Sequence, residues 1–348
     1  MLPGGSRHTF TGSSTRSGVA MPRRFLQSLF PACEGRAAFG FAAILLMLAT
    51  GCVAAGQAAP VGASASAEPL SGSAPLASTL LPAVEVSELE IEYPDASLTV
   101  TLYRSGPLRS HAPAIVFLPG LMAPVDQYDS YARALAARGF VVAVHEWYSP
   151  FTSDVELARE SRIMADWLVD TLHVDPQRIG VAGHSMGGKD AILAAVTHGG
   201  FSTVVAIDPD DAGEVSVVRG QLAQLRAPLL LIGAEVAWRA SSICAPMETN
   251  YLRFFERAPV GTVELTLRDA DHVQMLDEPN RFGYGICRVG TADSKQVHDT
   301  TLVATVGFFV QHLEGGPVLM KSPAVHGAIR VAQAPRPIRS SNALASAS

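Results

Sequence analysis

The sequence predicts an α/β fold, a mostly parallel central sheet with helices on both faces. Three observations carry that reading: continuous apolar runs of strand length, amphipathic stretches between them, and a glycine-rich turn joining one run to a helix. The chain has 348 residues, 48% hydrophobic and 17% charged, a balance that buries a sizeable core. Its net charge is −6 and no long basic block occurs, which argues against nucleic acid as a partner.

The elements follow in order. Leu89-Glu90-Ile91-Glu92-Tyr93 and Leu98-Thr99-Val100-Thr101-Leu102 alternate at period two, as an antiparallel pair at a sheet border does. Ala114-Ile115-Val116-Phe117-Leu118 is apolar throughout, the mark of a buried parallel strand. A helix over 128–138 leads to a strand over 140–144, and an amphipathic helix over 155–172 to a strand over 178–182. A helix over 189–197 precedes strands over 203–207, 228–232 and 263–267. A last helix over 302–313 closes the body. Regular alternation of this kind gives parallel strands joined by right-handed crossovers.

The ends read differently. Arg23, Arg24 and Arg36 precede an apolar run over 37–50 that finishes at Ala49-Thr50-Gly51-Cys52. This run is shorter than the roughly 18–20 residues that span a bilayer and suits a signal-peptide core. Small residues ahead of Cys52 resemble the lipobox of bacterial lipoproteins, although Ala49 stands where Leu is usual. The expectation is export, with Cys52 lipidated and the protein anchored to a bacterial membrane facing the periplasm or the exterior; plain secretion is the alternative. Met21 offers a second start. Residues 1–52 then form the signal segment and 53–84, rich in Ala, Ser, Gly and Pro, a flexible tether. The folded domain occupies 85–316, and 317–348 a loose tail. Of four cysteines, Cys33 and Cys52 fall in the leader. The remaining two, in an oxidising compartment, predict a Cys244–Cys287 disulfide.

Chemistry concentrates at Gly183-His184-Ser185-Met186-Gly187, between a predicted strand and a predicted helix. A G-x-S-x-G in that context is a nucleophile elbow, and it narrows the expectation to an α/β-hydrolase fold with Ser185 as nucleophile. The serine needs a histidine base oriented by a carboxylate. Ten histidines are present; the fold's order of Ser, acid, His leaves His198, His272, His298, His312 and His326. Only His272 sits on a loop just after a late strand. The acid is expected at Asp208, first after its strand, with neighbouring Asp210 and Asp211, and Glu235 after the next strand, as rivals. The backbone N–H groups of Leu121 and Met186 are the expected oxyanion hole.

Together these segments resemble the chlorophyllase-like branch of the α/β-hydrolases over most of residues 113–313. Gly183-His184-Ser185-Met186-Gly187-Gly188-Lys189 is similar to that family's nucleophile motif, with Met186 where plant members usually carry Arg. Asp208-Pro209-Asp210-Asp211 resembles its D-P-x-D segment, whose first Asp is the triad acid. Asp271-His272-Val273-Gln274-Met275-Leu276-Asp277 resembles its histidine loop, and Cys244-Ala245-Pro246, Asn250-Tyr251, Phe254-Phe255 and Cys287 also look like the family. Leu118-Pro119-Gly120 departs from the usual H-G of the oxyanion loop.

The resemblance implies hydrolysis of a carboxylic ester, of lipophilic character, through an acyl-enzyme and without metal or organic cofactor. Aromatics of Glu146-Trp147-Tyr148-Ser149-Pro150-Phe151 are candidates for a pocket wall. A cutinase-like or polyester hydrolase is the alternative, and a non-catalytic lipoprotein that binds a lipophilic ligand a further one.

Overall fold

The computed structural model describes residues 83–94, 96–146, 152–236, 243–316 and 327–332, all within one compact unit, Pro75–Ser348. Cys33, Cys52, the signal segment, the tether to residue 82 and the aromatics at 147, 148 and 151 lie outside the described residues.

Among the described residues, nine strands form one sheet: β1 (Val84–Tyr93), β2 (Ala96–Ser105), β3 (Ala114–Leu118), β4 (Val141–His145), β5 (Ile179–His184), β6 (Thr203–Ile207), β7 (Leu229–Ala234), β8 (Val263–Leu267) and β9 (Ala328–Val331). Their order is β1-β2-β4-β3-β5-β6-β7-β8-β9. Strands β3 to β8 run parallel. β1 and β2 at one border, and β9 at the other, add antiparallel.

The apolar runs lie in the middle because both faces of those strands are covered. Along β3, Ile115 and Phe117 pack with Tyr131, Leu135, Phe308 and Phe309. Those partners belong to α1 (Asp129–Ala137) and to the closing helix Ser294–Glu314. Ala114, Val116 and Leu118 pack on the opposite face with Met164, Leu168, Ile192 and Ala194, from α2 (Asp154–Leu172) and α3 (Met186–Thr197). Period-two alternation within an all-apolar strand thus serves two cores at once. Helix α2 starts where the Ser153 hydroxyl accepts the Glu156 N–H at 3.2 Å and stops at His173 in the left-handed region.

Four features depart from the sequence expectations. Helix α3 begins at Met186, three residues early, because it springs directly from the turn at Ser185. The closing helix begins at Ser294 rather than 302: its first two turns are polar, and the Asp293 carboxylate caps them by accepting the Gln296 N–H at 2.8 Å. A short helix, α4 (Tyr251–Arg257), is capped by Asn250; the closing helix is therefore α5. Finally, β9 lies inside the stretch read as a loose tail. Its side chains are all exposed, so it carries no apolar alternation to betray it.

Candidate active site

The carboxyl ends of the parallel strands converge on one cavity, where ligands bind in open α/β sheets. Ser185 follows β5, Asp208 follows β6, His272 follows β8 and Leu121 follows β3. The cavity measures about 180 Å³, and Leu121, Ser185, Met186, Ala245, His272 and Tyr284 are among its lining. Larger hollows, of about 370 Å³ beside Arg268 and Thr300 and about 310 Å³ beside Arg109 and Phe140, hold no serine beside a histidine.

Ser185 occupies a strained turn, φ 58° and ψ −127°, a conformation that costs on the order of 1–3 kcal/mol. The turn is over-determined by its surroundings. Its N–H donates to the Ile207 carbonyl at 2.9 Å, and its own carbonyl accepts the N–H groups of Gly188 at 3.0 Å and Asp210 at 3.2 Å. A Cβ on Gly183 would strike the Gly187 carbonyl, and one on Gly187 the carbonyls of Leu118 and Pro119. Glycine at both places is a steric necessity.

Asp208 is wholly buried. Its Oδ1 accepts the Ala234 N–H at 2.9 Å, and its Oδ2 lies 2.7 Å from Nδ1 of His272. Burial works to lower the His272 pKa, but the hydrogen bond and charge of Asp208, with the charges of Asp210 and Asp271, outweigh it and raise the imidazole above 6.5. The rival acids make no hydrogen bond to His272 among the described contacts. Glu235 Oε2 accepts the Asp269 N–H at 3.0 Å. Asp211 accepts N–H groups of Val217 and Val218 and the Ser216 hydroxyl, and burial raises its pKa. Asp210 borders the cavity and accepts the Ala212 N–H at 3.3 Å.

Among the described residues, the N–H groups of Leu121 and Met186 have no acceptor, whereas the Gly120 N–H donates to the Tyr128 hydroxyl at 2.9 Å. Cys244 and Cys287 are disulfide-bonded, with Cα atoms 5.6 Å apart. The bridge ties the loop before α4 to the loop before α5, and both cysteines line the cavity. Among the described residues, no group of three His, Cys, Asp or Glu side chains is placed to hold a metal.

This geometry is matched by kinship. Residues 81–322 fit the profile of the family described as chlorophyllase. The chain belongs to the chlorophyllase family. Two curated relatives of that name are similar to it at low identity. Chlorophyllase-2 of Arabidopsis thaliana is 25% identical over 238 aligned residues, covering 58% of this chain and 74% of that one. Chlorophyllase type 0 of Chenopodium album is 21% identical over 224, covering 56% and 63%; the chain thus spans less than two thirds of that relative's length. The fold is that of the α/β-hydrolases, and family membership supports an ester hydrolase acting on a small-molecule substrate.

In this chlorophyllase-family chain, several residues around the site escape a sequence reading. Asp271, beside His272, is a scaffold: Oδ1 accepts the Val273 and Gln274 N–H groups, and Oδ2 those of Val289 at 3.1 Å and Gly290 at 2.8 Å. Tyr131 donates its hydroxyl to the Met275 carbonyl at 2.6 Å, bracing the same loop. Ser130, Asp277 and His298 form a clasp between α1 and α5, with His298 Nε2 2.7 Å from Asp277 Oδ1. His184 stands within the pentapeptide, yet nothing about its neighbours in sequence reveals its partners, Tyr128 and the main chain of His272.

Proposed function

We propose that the protein hydrolyses a lipophilic carboxylic ester through an acyl-enzyme, with Ser185 as nucleophile, His272 as general base and acid, and Asp208 as its orienting carboxylate. The observation that carries this reading is the 2.7 Å contact from Asp208 to His272 Nδ1. It leaves Nε2 as the ring nitrogen for a cavity that also contains Ser185 on its strained turn. His272 takes the Ser185 proton, and the serine oxygen attacks the ester carbonyl. The resulting oxyanion is received by the N–H groups of Leu121 and Met186. The imidazolium then protonates the departing alcohol, and water, activated by the same imidazole, releases the acid.

The cavity favours an apolar group on the ester: Leu121, Ile243, Ala245, Val273 and Leu276 contribute to its wall. Turnover of chlorophyll, of chromogenic esters of graded chain length and of a polyester, each beside the Ser185→Ala variant, tests the reading. Hydrolysis of soluble lipophilic esters that vanishes in the variant supports it. Preferential attack on the polyester would favour a cutinase-like role, and inertness towards both esters and a fluorophosphonate probe would leave only ligand binding. We further propose that Cys52 carries a lipid that anchors the exported protein to a bacterial membrane, on the strength of the apolar run and small residues before it.

A further inference from the structure

His184 is buried beside the nucleophile at the wall of the cavity, 2% exposed, and none of the proposed chemical steps uses it. Its partners fix the direction of every hydrogen bond it makes. Its Nε2 lies 3.1 Å from the main-chain carbonyl of His272. A carbonyl only accepts, so Nε2 carries the proton. Burial, then the proximity of His272, hold the ring well below its ordinary pKa and therefore neutral, against a smaller upward pull from that carbonyl. Nδ1 is then an acceptor, and the Tyr128 hydroxyl, 3.0 Å away, donates to it. The Tyr128 oxygen in turn accepts the Gly120 N–H at 2.9 Å. One unbranched chain of bonds thus runs from Gly120, through Tyr128 and His184, to the backbone of His272.

The two ends of that chain are the two loops whose spacing matters most. Gly120, whose N–H is taken by Tyr128, precedes Leu121, whose N–H has no acceptor among the described residues, and both border the cavity. At the other end the carbonyl belongs to the very residue whose ring meets Asp208. The rings of His184 and His272 also lie close, centroids 4.5 Å apart and planes tilted by 33°. Space around the relay is tight: a Cβ on Gly120 would come within 2.9 Å of His184 Nδ1 and 3.2 Å of the Tyr128 oxygen. Tyr128 is itself buried, held against Phe117 with centroids 5.1 Å apart.

We infer that Tyr128 and His184 are positioning residues, a single hydrogen-bonded strut that sets the oxyanion loop and the catalytic histidine at a fixed separation. The inference rests on the proposed Ser185–His272–Asp208 chemistry. Its effect is on the rate of the chemical step, since neither side chain needs to touch the ester. A strut of this kind matters because a small displacement of a base from its nucleophile costs far more rate than binding.

The test uses the full-length protein with a p-nitrophenyl ester, its rate expressed per serine titrated by a fluorophosphonate, so that misfolded molecules drop out. Loss of labelling in Ser185→Ala, with turnover in the parent, establishes the underlying chemistry separately. Tyr128→Phe is nearly isosteric and keeps the test open if larger changes fail to fold. In Tyr128→Phe and His184→Leu, kcat per titrated site is expected to fall about 10- to 100-fold with KM within about twofold, the pattern of a transition-state interaction. The double variant should be no slower than the worse single one, because one strut can be broken only once. His184→Gln, which both donates and accepts, should recover part of the rate.

The pH profile adds a readout that simple destabilisation would not move. The titratable groups facing His272 are Asp208, Asp210, Asp271 and His184. With the His272 main chain released, its bond to Asp208 slackens and burial dominates, so the acid limb of kcat/KM should shift to lower pH in His184→Leu. Unchanged kcat per titrated site, a rise in KM alone, fully multiplicative losses or an unmoved acid limb would each overturn the inference.

Discussion

Lys189 and Asp154 form an ion pair that solvent does not reach, Nζ to Oδ1 2.6 Å, with side chains 0% and 2% exposed. The ammonium also donates to the Ala212 carbonyl, and Asp154 Oδ2 accepts the Val215 N–H at 2.8 Å. Helix α3, the start of α2 and the loop beyond Asp208 therefore meet at one charged knot close to Ser185 in the chain. Lys189→Met leaves the Asp154 carboxylate buried without its cation, which costs about 3–5 kcal/mol. Urea unfolding should show that loss. The double variant Lys189→Met, Asp154→Leu should recover a large part of it; equal instability of both would refute the charge argument.

Asp208 and Glu235 end adjacent strands, so substitution separates their roles. Asp208→Asn should lower kcat on the order of 10³–10⁴-fold, the cost of a mis-set imidazole tautomer. Glu235→Gln keeps an oxygen for the Asp269 N–H and should lose far less. Steady-state rates on one soluble ester decide it, and the opposite ranking would move the acid to Glu235.

The pH dependence follows from the imidazole. Burial lowers the His272 pKa, but Asp208, Asp210 and Asp271 together raise it above 6.5. In the proposed chemistry the neutral ring is the base, so kcat/KM should decline as pH falls through a midpoint above 6.5. Asp208→Asn removes the strongest raising partner and should carry that midpoint to lower pH. For stability the sign is opposite: the raised pKa favours the folded state below 6.5 and that contribution fades as pH climbs through the raised value.

Loss of the disulfide loosens two walls of the cavity together. Cys244 and Cys287 are separated by 43 positions, and opening a loop of that length costs about 2–4 kcal/mol. The Cys244→Ala, Cys287→Ala variant should unfold at lower denaturant concentration and turn over ester more slowly. A disulfide reductant such as a phosphine should reproduce both effects in the parent and change nothing further in the variant.

Anchoring is tested by fractionation in a bacterial host. Cys52→Ser should move the protein from the membrane pellet to the soluble exported fraction. Retention in the pellet would remove the lipid from consideration.

Much of the site was legible because its chemistry leaves local marks. Gly183 and Gly187 flank Ser185 where no side chain fits, and such collisions show in this sequence as glycines two residues either side of the serine. The candidate role of His272 is legible from its place after β8, and that of Asp208 from its place after β6 together with the D-P-x-D likeness. What escaped depends on partners distant in the chain. Tyr128 is 56 positions from His184, and Asp277 is 147 from Ser130, so no window of sequence contains either pair. The fold divides similarly. Buried strands advertise themselves by apolar runs, whereas the polar opening of α5 and the exposed β9 are held by a cap and by a neighbour's backbone.

Strand β9 has a consequence for the molecule's dealings with its own copies. Without it, β8 would present a row of unclaimed amides and carbonyls at the rim of the sheet, a template on which another chain's strand could lodge. β9 takes that place through pairs from Thr266 with Ala328 to Val263 with Val331. It is fastened there by Arg330, which meets the buried Glu264 carboxylate and lies 4.6 Å from the centre of the Phe255 ring. The rim passed outward is only four residues long and carries a guanidinium in its middle, poor ground for aggregation.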